Sequence, residues 1–240
     1  MLRCSSLPET RRPQYDPLQI VSWAAHLGAI TAPALARRDG LSLAAARGRL
    51  SACRREGLLC AVRPRPDRPT LYTATRAGLR AAGLGDLGPC RVTVGNAAHL
   101  SVCAEVAAAM ERRHPDQRVE GERELRAQER AGGRSLASAR MGVDPAGGPS
   151  LHRPDLVLWP VATGSGRPVA VEVELSCKAH RRLVAICRAW ARCELVDGVL
   201  YCAPANVARS LARAIDEVHG HDRILVLGLR HVLDPSPLPW

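Results

Sequence analysis

Along residues 17–57 the apolar side chains recur at intervals of three and four, the period of an α-helix, and polar punctuation divides the stretch into three. Pro17 opens a helix whose Leu18, Val21 and Ala25, joined by Ile20 and Trp23, face inward. Thr31 caps a short second helix that ends at Asp39-Gly40. Ser42 caps a third that runs to Glu56. Its buried stripe is set by Ala46, Leu50, Cys53 and the position of Gly57, which leaves Ala44, Arg47, Gly48, Ser51 and Arg55 on the other surface. Residues 58–62 and 70–74 read as two strands around an Arg- and Pro-rich loop containing Arg63, Arg65 and Arg68. Three helices followed by a two-stranded wing predict a winged helix-turn-helix over residues 17–82. A linker rich in Gly and Pro follows at 83–95.

From Asn96 the helical period returns, with Leu100, Cys103, Ala104, Ala107 and Met110 or Glu111 on one side, and ends near Arg113. Residues 118–125 alternate weakly and predict a strand. Residues 128–150 show no apolar period and are expected to form a mobile insert. Residues 155–159 read as a buried strand. Past a short Gly-rich loop, residues 169–175 alternate: Val169, Val171, Val173 and Leu175 point one way, Glu172 and Glu174 the other. A helix over 179–193, a strand over 197–203, a helix over 205–218 and a strand over 223–229 complete an α/β (α+β) unit spanning 96–232. The first 16 residues and the Pro-rich tail from Asp234 read as a loose arm and a peripheral end.

The hairpin of the two central strands brings Asp155 toward Glu172 and Glu174. Three carboxylates on one rim repel each other unless a hard divalent cation such as Mg2+ sits among them. Such a cation can bind a phosphate oxygen and activate water. Among 34 basic residues Lys178 is the sole lysine, four positions beyond Glu174. The bland alternative is a solvated acidic face with an incidental lysine. His180, near Lys178, is a candidate proton carrier. The net charge of +11 is uneven: 14 Arg against 6 acids in residues 1–90, and 20 basic against 17 acidic residues in the rest. That excess suits double-stranded DNA, with Arg47, Ser51 and Arg55 on the third helix and Arg63, Arg65 and Arg68 on the wing as its contacts. Nine cysteines without a paired spacing argue for reduced thiols and a cytoplasmic protein, and no apolar run is long enough for a membrane span.

Pro154-Asp155, the acid-x-acid strand and the nearby lysine resemble the core of the PD-(D/E)xK, or restriction-endonuclease-like, superfamily. The whole arrangement, over roughly residues 17–230, is similar to the replication-relaxation family of plasmids and integrative elements in high-GC bacteria. The resemblance implies a winged helix joined to a nuclease-like fold, a DNA partner, and Mg2+ held by Asp155, Glu172 and Glu174, with Lys178 stabilising charge on the phosphate and Glu105 on the first helix of the core, or Glu122 or Glu124 on its first strand, as a further acid; a homodimer is a separate expectation. One departure stands out. The superfamily's lysine follows its strand acid by two residues, and that place is Glu174, so either Lys178 supplies the amine from the next helix or the site is degenerate. The rival reading is a non-enzymatic transcriptional regulator or replication accessory; a third is a toxin–antitoxin or other partner-binding module.

Overall fold

The Asp16 side chain accepts a hydrogen bond from the Leu18 N–H and Pro17 takes the first turn, which fixes the start of α1 (Pro17–Leu27). The computed structural model describes residues 16–145, 147–161 and 166–234; the expected arm before Asp16, part of the Gly-rich loop and the tail beyond Asp234 lie outside them. Ile20, Val21, Trp23 and Ala25 are buried as expected, but Leu18 is exposed because it stands on the outward side of the first turn. Thr31 and Ser42 cap α2 (Ala32–Asp39) and α3 (Leu43–Arg55) by accepting from the N–H groups of Ala34 and Ala45. Gly40, with φ +64°, ends α2. Ala46, Leu50 and Cys53 are the buried stripe of α3. Gly57 is exposed and does not extend it: it lies beyond the helix end at φ +72°, where it turns the chain into the next strand.

The strands β1 (Ile30–Thr31), β2 (Leu59–Val62) and β3 (Leu71–Ala74) form an antiparallel sheet in the order β1-β3-β2. Thr75 caps α4 (Arg76–Ala81), and the expected linker contains a 3-10 turn, Gly85–Leu87. A reciprocal cap between Thr93 and Asn96 starts α5 (Val94–Arg113) two residues before the sequence reading.

The second unit is a mixed α/β structure. After β4 (Gln117–Gly121) the chain enters α6 (Glu122–Gly132), so Glu122 and Glu124 lie on a helix and not on the expected strand. Gly121 stands at the N-cap of α6, where a Cβ would lie 2.6 Å from the carbonyl oxygen of His26, so the close approach there requires glycine. The described residues of 128–150 likewise carry regular elements where the sequence reading expects none. The end of α6 and the hairpin β5 (Ala139–Val143) and β6 (Pro149–His152) bury Ala137, Ser138 and Ala139. The chain continues through β7 (Leu156–Pro160), β8 (Val169–Val173), α7 (His180–Ala191), β9 (Gly198–Ala203), α8 (Ala205–Glu217), β10 (Ile224–Gly228) and α9 (Leu229–Leu233). The five-stranded sheet has the order β10-β9-β8-β7-β4: β10, β9 and β8 run parallel, and β8–β7 and β7–β4 are antiparallel.

Strand parity on β8 holds. Val171 and Val173 pack toward α5, and Ala170 packs toward α7 and α8. Alternating side chains therefore serve two cores, one on each face of the sheet. The core beneath α5 is continuous with that of the N-terminal unit, since Ile20, Leu35 and Leu50 belong to the same buried cluster as Met110, Leu156 and Val171.

Candidate functional site

Asp155 stands immediately before β7, and its backbone is fixed by its carbonyl accepting from the Glu122 N–H at 2.9 Å. The pair Leu156↔Val171 is the last in the β7–β8 register, so one step further along the antiparallel ladder Asp155 comes opposite Glu172. Its Oδ2 accepts from the Val173 N–H at 2.8 Å, and its Oδ1 lies 2.8 Å from His99 Nε2 on α5. Cys103, one helical turn beyond His99, places Sγ 3.4 Å from the same Nε2. The hydrogen bond to Asp155, opposed by burial, raises the pKa of His99; burial pushes the Cys103 thiol well up, and the nearby charge of Asp155 adds to it.

Glu172 is buried beneath α7. Its Oε1 accepts from Trp190 Nε1 at 3.0 Å and meets His152 Nε2 at 2.7 Å. Burial raises the pKa of this carboxyl, while the bonds from His152 and Trp190 pull it back. Burial disfavours a charged His152, but the bond to Glu172 and its negative charge prevail and hold the imidazole above its ordinary value. Glu174, one residue past β8, keeps its backbone N–H on the Cys202 carbonyl and pairs its carboxylate with Lys178 Nζ. Burial lowers the pKa of Lys178, and the charges of Glu172 and Asp155 oppose that shift.

Asp155, Glu172, Glu174 and Lys178 thus share one end of the sheet, close enough for their charges to act on one another. Their ligand atoms do not converge on a single point. Among the described residues, the set that does is His99, Cys103 and Asp155. The sequence reading missed His99, Cys103 and His152. A His and a Cys four residues apart on an otherwise Ala-rich helix was the available signal for the first two. Of the other candidates, Glu105 turns to the N-terminal unit, where it meets Arg37 and Thr31; Glu122 pairs with Arg126, Glu124 with His26 and Arg118, and the exposed His180 with Glu217.

A cleft of about 400 Å3 opens on Asp155, His99 and Cys103 and is lined on its far side by Arg123, Arg126 and Arg130 of α6. Arg123 is occupied with the carbonyls of Ala25, Leu87 and Gly88. A second cleft, of about 590 Å3, lies on the N-terminal unit, where Arg47 and Ser51 of α3 face Arg63 and Arg68 of the loop between β2 and β3. Arg55 is exposed at the end of α3 outside this cleft, and Arg65 is paired with Asp67. No family model, no curated protein and no solved structure matches the chain.

Proposed function

We propose that the chain binds duplex DNA through its N-terminal unit, acting as a winged helix, and serves the replication or relaxation of a mobile element. The observation that carries this reading is the cleft shared by α3 and the β2–β3 loop. Residues separated in sequence, Arg47 and Ser51 on the helix and Arg63 and Arg68 on the loop, line one surface. Ala44, Gly48 and Ser51 leave the outer face of α3 low, so the helix can approach a groove floor while the arginines reach phosphates. The mobile-element role rests on the resemblance of the sequence. Binding of a labelled duplex, followed by fluorescence anisotropy across a salt series, tests the DNA reading. Arg47→Ala and Arg68→Ala should each weaken binding and flatten the log affinity against log salt slope by about one. Unchanged affinity and slope in both variants would overturn it.

A second reading, metal-dependent phosphodiester cleavage in a restriction-endonuclease-like core, is supported by the element order from α5 to α8 and by Asp155 standing opposite Glu172 beside Lys178. In that reading Asp155, Glu172 and Glu174 would hold Mg2+, which would supply an activated water, and Lys178 would leave Glu174 to face the phosphate. In a nicking assay on supercoiled plasmid, wild type should cleave only with Mg2+, and Asp155→Asn should abolish cleavage while retaining duplex affinity. A wild type that binds but never nicks is the regulator.

A further inference from the structure

We propose that His99, Cys103 and Asp155 form a three-ligand site for a borderline divalent transition metal of the zinc class, with its remaining position open to the cleft beside α6. His99 and Cys103 leave α5 on one face, one turn apart, and Asp155 meets them from the start of β7. One ligand atom of each lies within 4.8 Å of the other two. The spacings are 2.8 Å from Nε2 to Oδ1 and 3.4 Å from Nε2 to Sγ. Tetrahedral zinc at ordinary bond lengths sets nitrogen and oxygen ligands about 3.3 Å apart, and nitrogen and sulfur about 3.6 Å apart. The nitrogen–sulfur separation is close to a ligating one, the nitrogen–oxygen pair stands at hydrogen-bond distance, and sulfur and oxygen lie within 4.8 Å, so side-chain rotations that part His99 from Asp155 would open the three donors around an ion.

An ion pair between His99 and Asp155 does not account for the third member. Nε2 carries at most one proton, and when that proton is donated to the Asp155 carboxylate the thiol gains no strong hydrogen bond by lying against the same nitrogen. Asp155 is also held as an outer-shell partner would hold a ligand: its second oxygen is fixed by the Val173 N–H, which leaves Oδ1 aimed at the cluster. The approach is open, because the cleft reaches all three residues and the exposed Arg126 and Arg130 line it.

Imidazole and thiolate select zinc, cobalt or iron over magnesium, whose ligands are oxygens. The site is thus distinct in chemistry from a three-carboxylate Mg2+ centre, although both would use Asp155, and it needs no DNA to exist. The test is a titration of the chelator-treated, reduced full-length protein with Co2+, followed by Zn2+ competition. Wild type should develop a near-ultraviolet thiolate-to-cobalt absorption and the visible bands of a four-coordinate ion, both displaced by Zn2+. Cys103→Ala should lose the thiolate band. His99→Gln should weaken binding by more than the roughly 10–100-fold that loss of an outer-shell partner costs. Cys90→Ser, which removes the other thiol that lines the cleft, should leave the spectrum unchanged, with circular dichroism confirming that each variant is folded. No thiolate band in wild type, or a band that survives Cys103→Ala or disappears in Cys90→Ser, overturns the proposal. A Mg2+-dependent nicking activity in a protein without the cobalt band would sink this site and leave the nuclease reading standing, whereas the band without nicking does the reverse.

Discussion

Gly78 and Gly48 both sit within helices, yet they should respond in opposite directions to the same added methyl group. A Cβ at Gly78 would lie 2.2 Å from the carbonyl oxygen of Leu58, which is backbone already engaged by the Thr75 N–H and cannot swing aside. Gly78→Ala is expected to destabilise by about 3 kcal/mol, the upper end of ordinary overpacking. At Gly48 an added Cβ meets nothing within 4 Å, so Gly48→Ala should stabilise by about 0.5–1 kcal/mol through the unfolded chain's lost freedom. Urea denaturation of the two variants checks this, and shifts of the same sign would refute it. At this scale the sequence was informative about direction and silent about neighbours. Alternation in β8 separated Glu172 and Glu174 from the valines, and the hairpin brought Asp155 opposite Glu172. Parity cannot say what stands over a face. His99 approaches Asp155 from 56 residues upstream on α5, and Trp190 reaches Glu172 from α7, so the partners that hold these carboxylates appear only with the tertiary packing.

Elements that carry their own signals, namely caps, apolar periods and terminating glycines, were legible: Thr31 and Ser42 start α2 and α3, and the order of strands and helices from β7 to β10 follows the apolar runs. The segment 128–150 was not, because it folds around a charge instead of an apolar stripe. Glu129 on α6 is only 4% exposed and accepts from the Leu136 N–H, the Ser138 hydroxyl and Arg153 Nε. Those three bonds tie the helix, the hairpin entry and the start of β7 together without any hydrophobic pattern that periodicity could detect. Glu129→Ala should therefore cost about 3–5 kcal/mol, since it leaves the half-buried Arg153 guanidinium without its counter-ion. The expected readout is a large fall in thermal midpoint together with earlier proteolysis between residues 132 and 153. A variant as stable as wild type would return the segment to the status of a loose insert.

Across the whole molecule, the composition change at residues 83–95 marks a boundary in the chain, but packing does not stop there. The reason lies in α5, whose consecutive buried residues Val106, Ala107, Ala108, Ala109 and Met110 give little amphipathic signal because several faces of the helix are covered at once. One side receives the N-terminal unit: Glu111 accepts from Trp23 Nε1 at 2.8 Å and Arg38 Nε at 2.6 Å, and Glu105 pairs with Arg37. The other side packs on the sheet through the same buried cluster. Two units that share one core helix should lose their structure together. Urea unfolding followed by tryptophan fluorescence, which reports Trp23 in one unit and Trp159 and Trp190 in the other, should coincide with far-ultraviolet circular dichroism in a single transition. Glu111→Ala removes two partly buried hydrogen bonds to a charged acceptor and should lower that one midpoint by the equivalent of about 1–3 kcal/mol, without splitting the curve. Two separated transitions in wild type, with the N-terminal unit melting alone, would show instead that this unit is carried as an independent module and that α5 belongs to the sheet only.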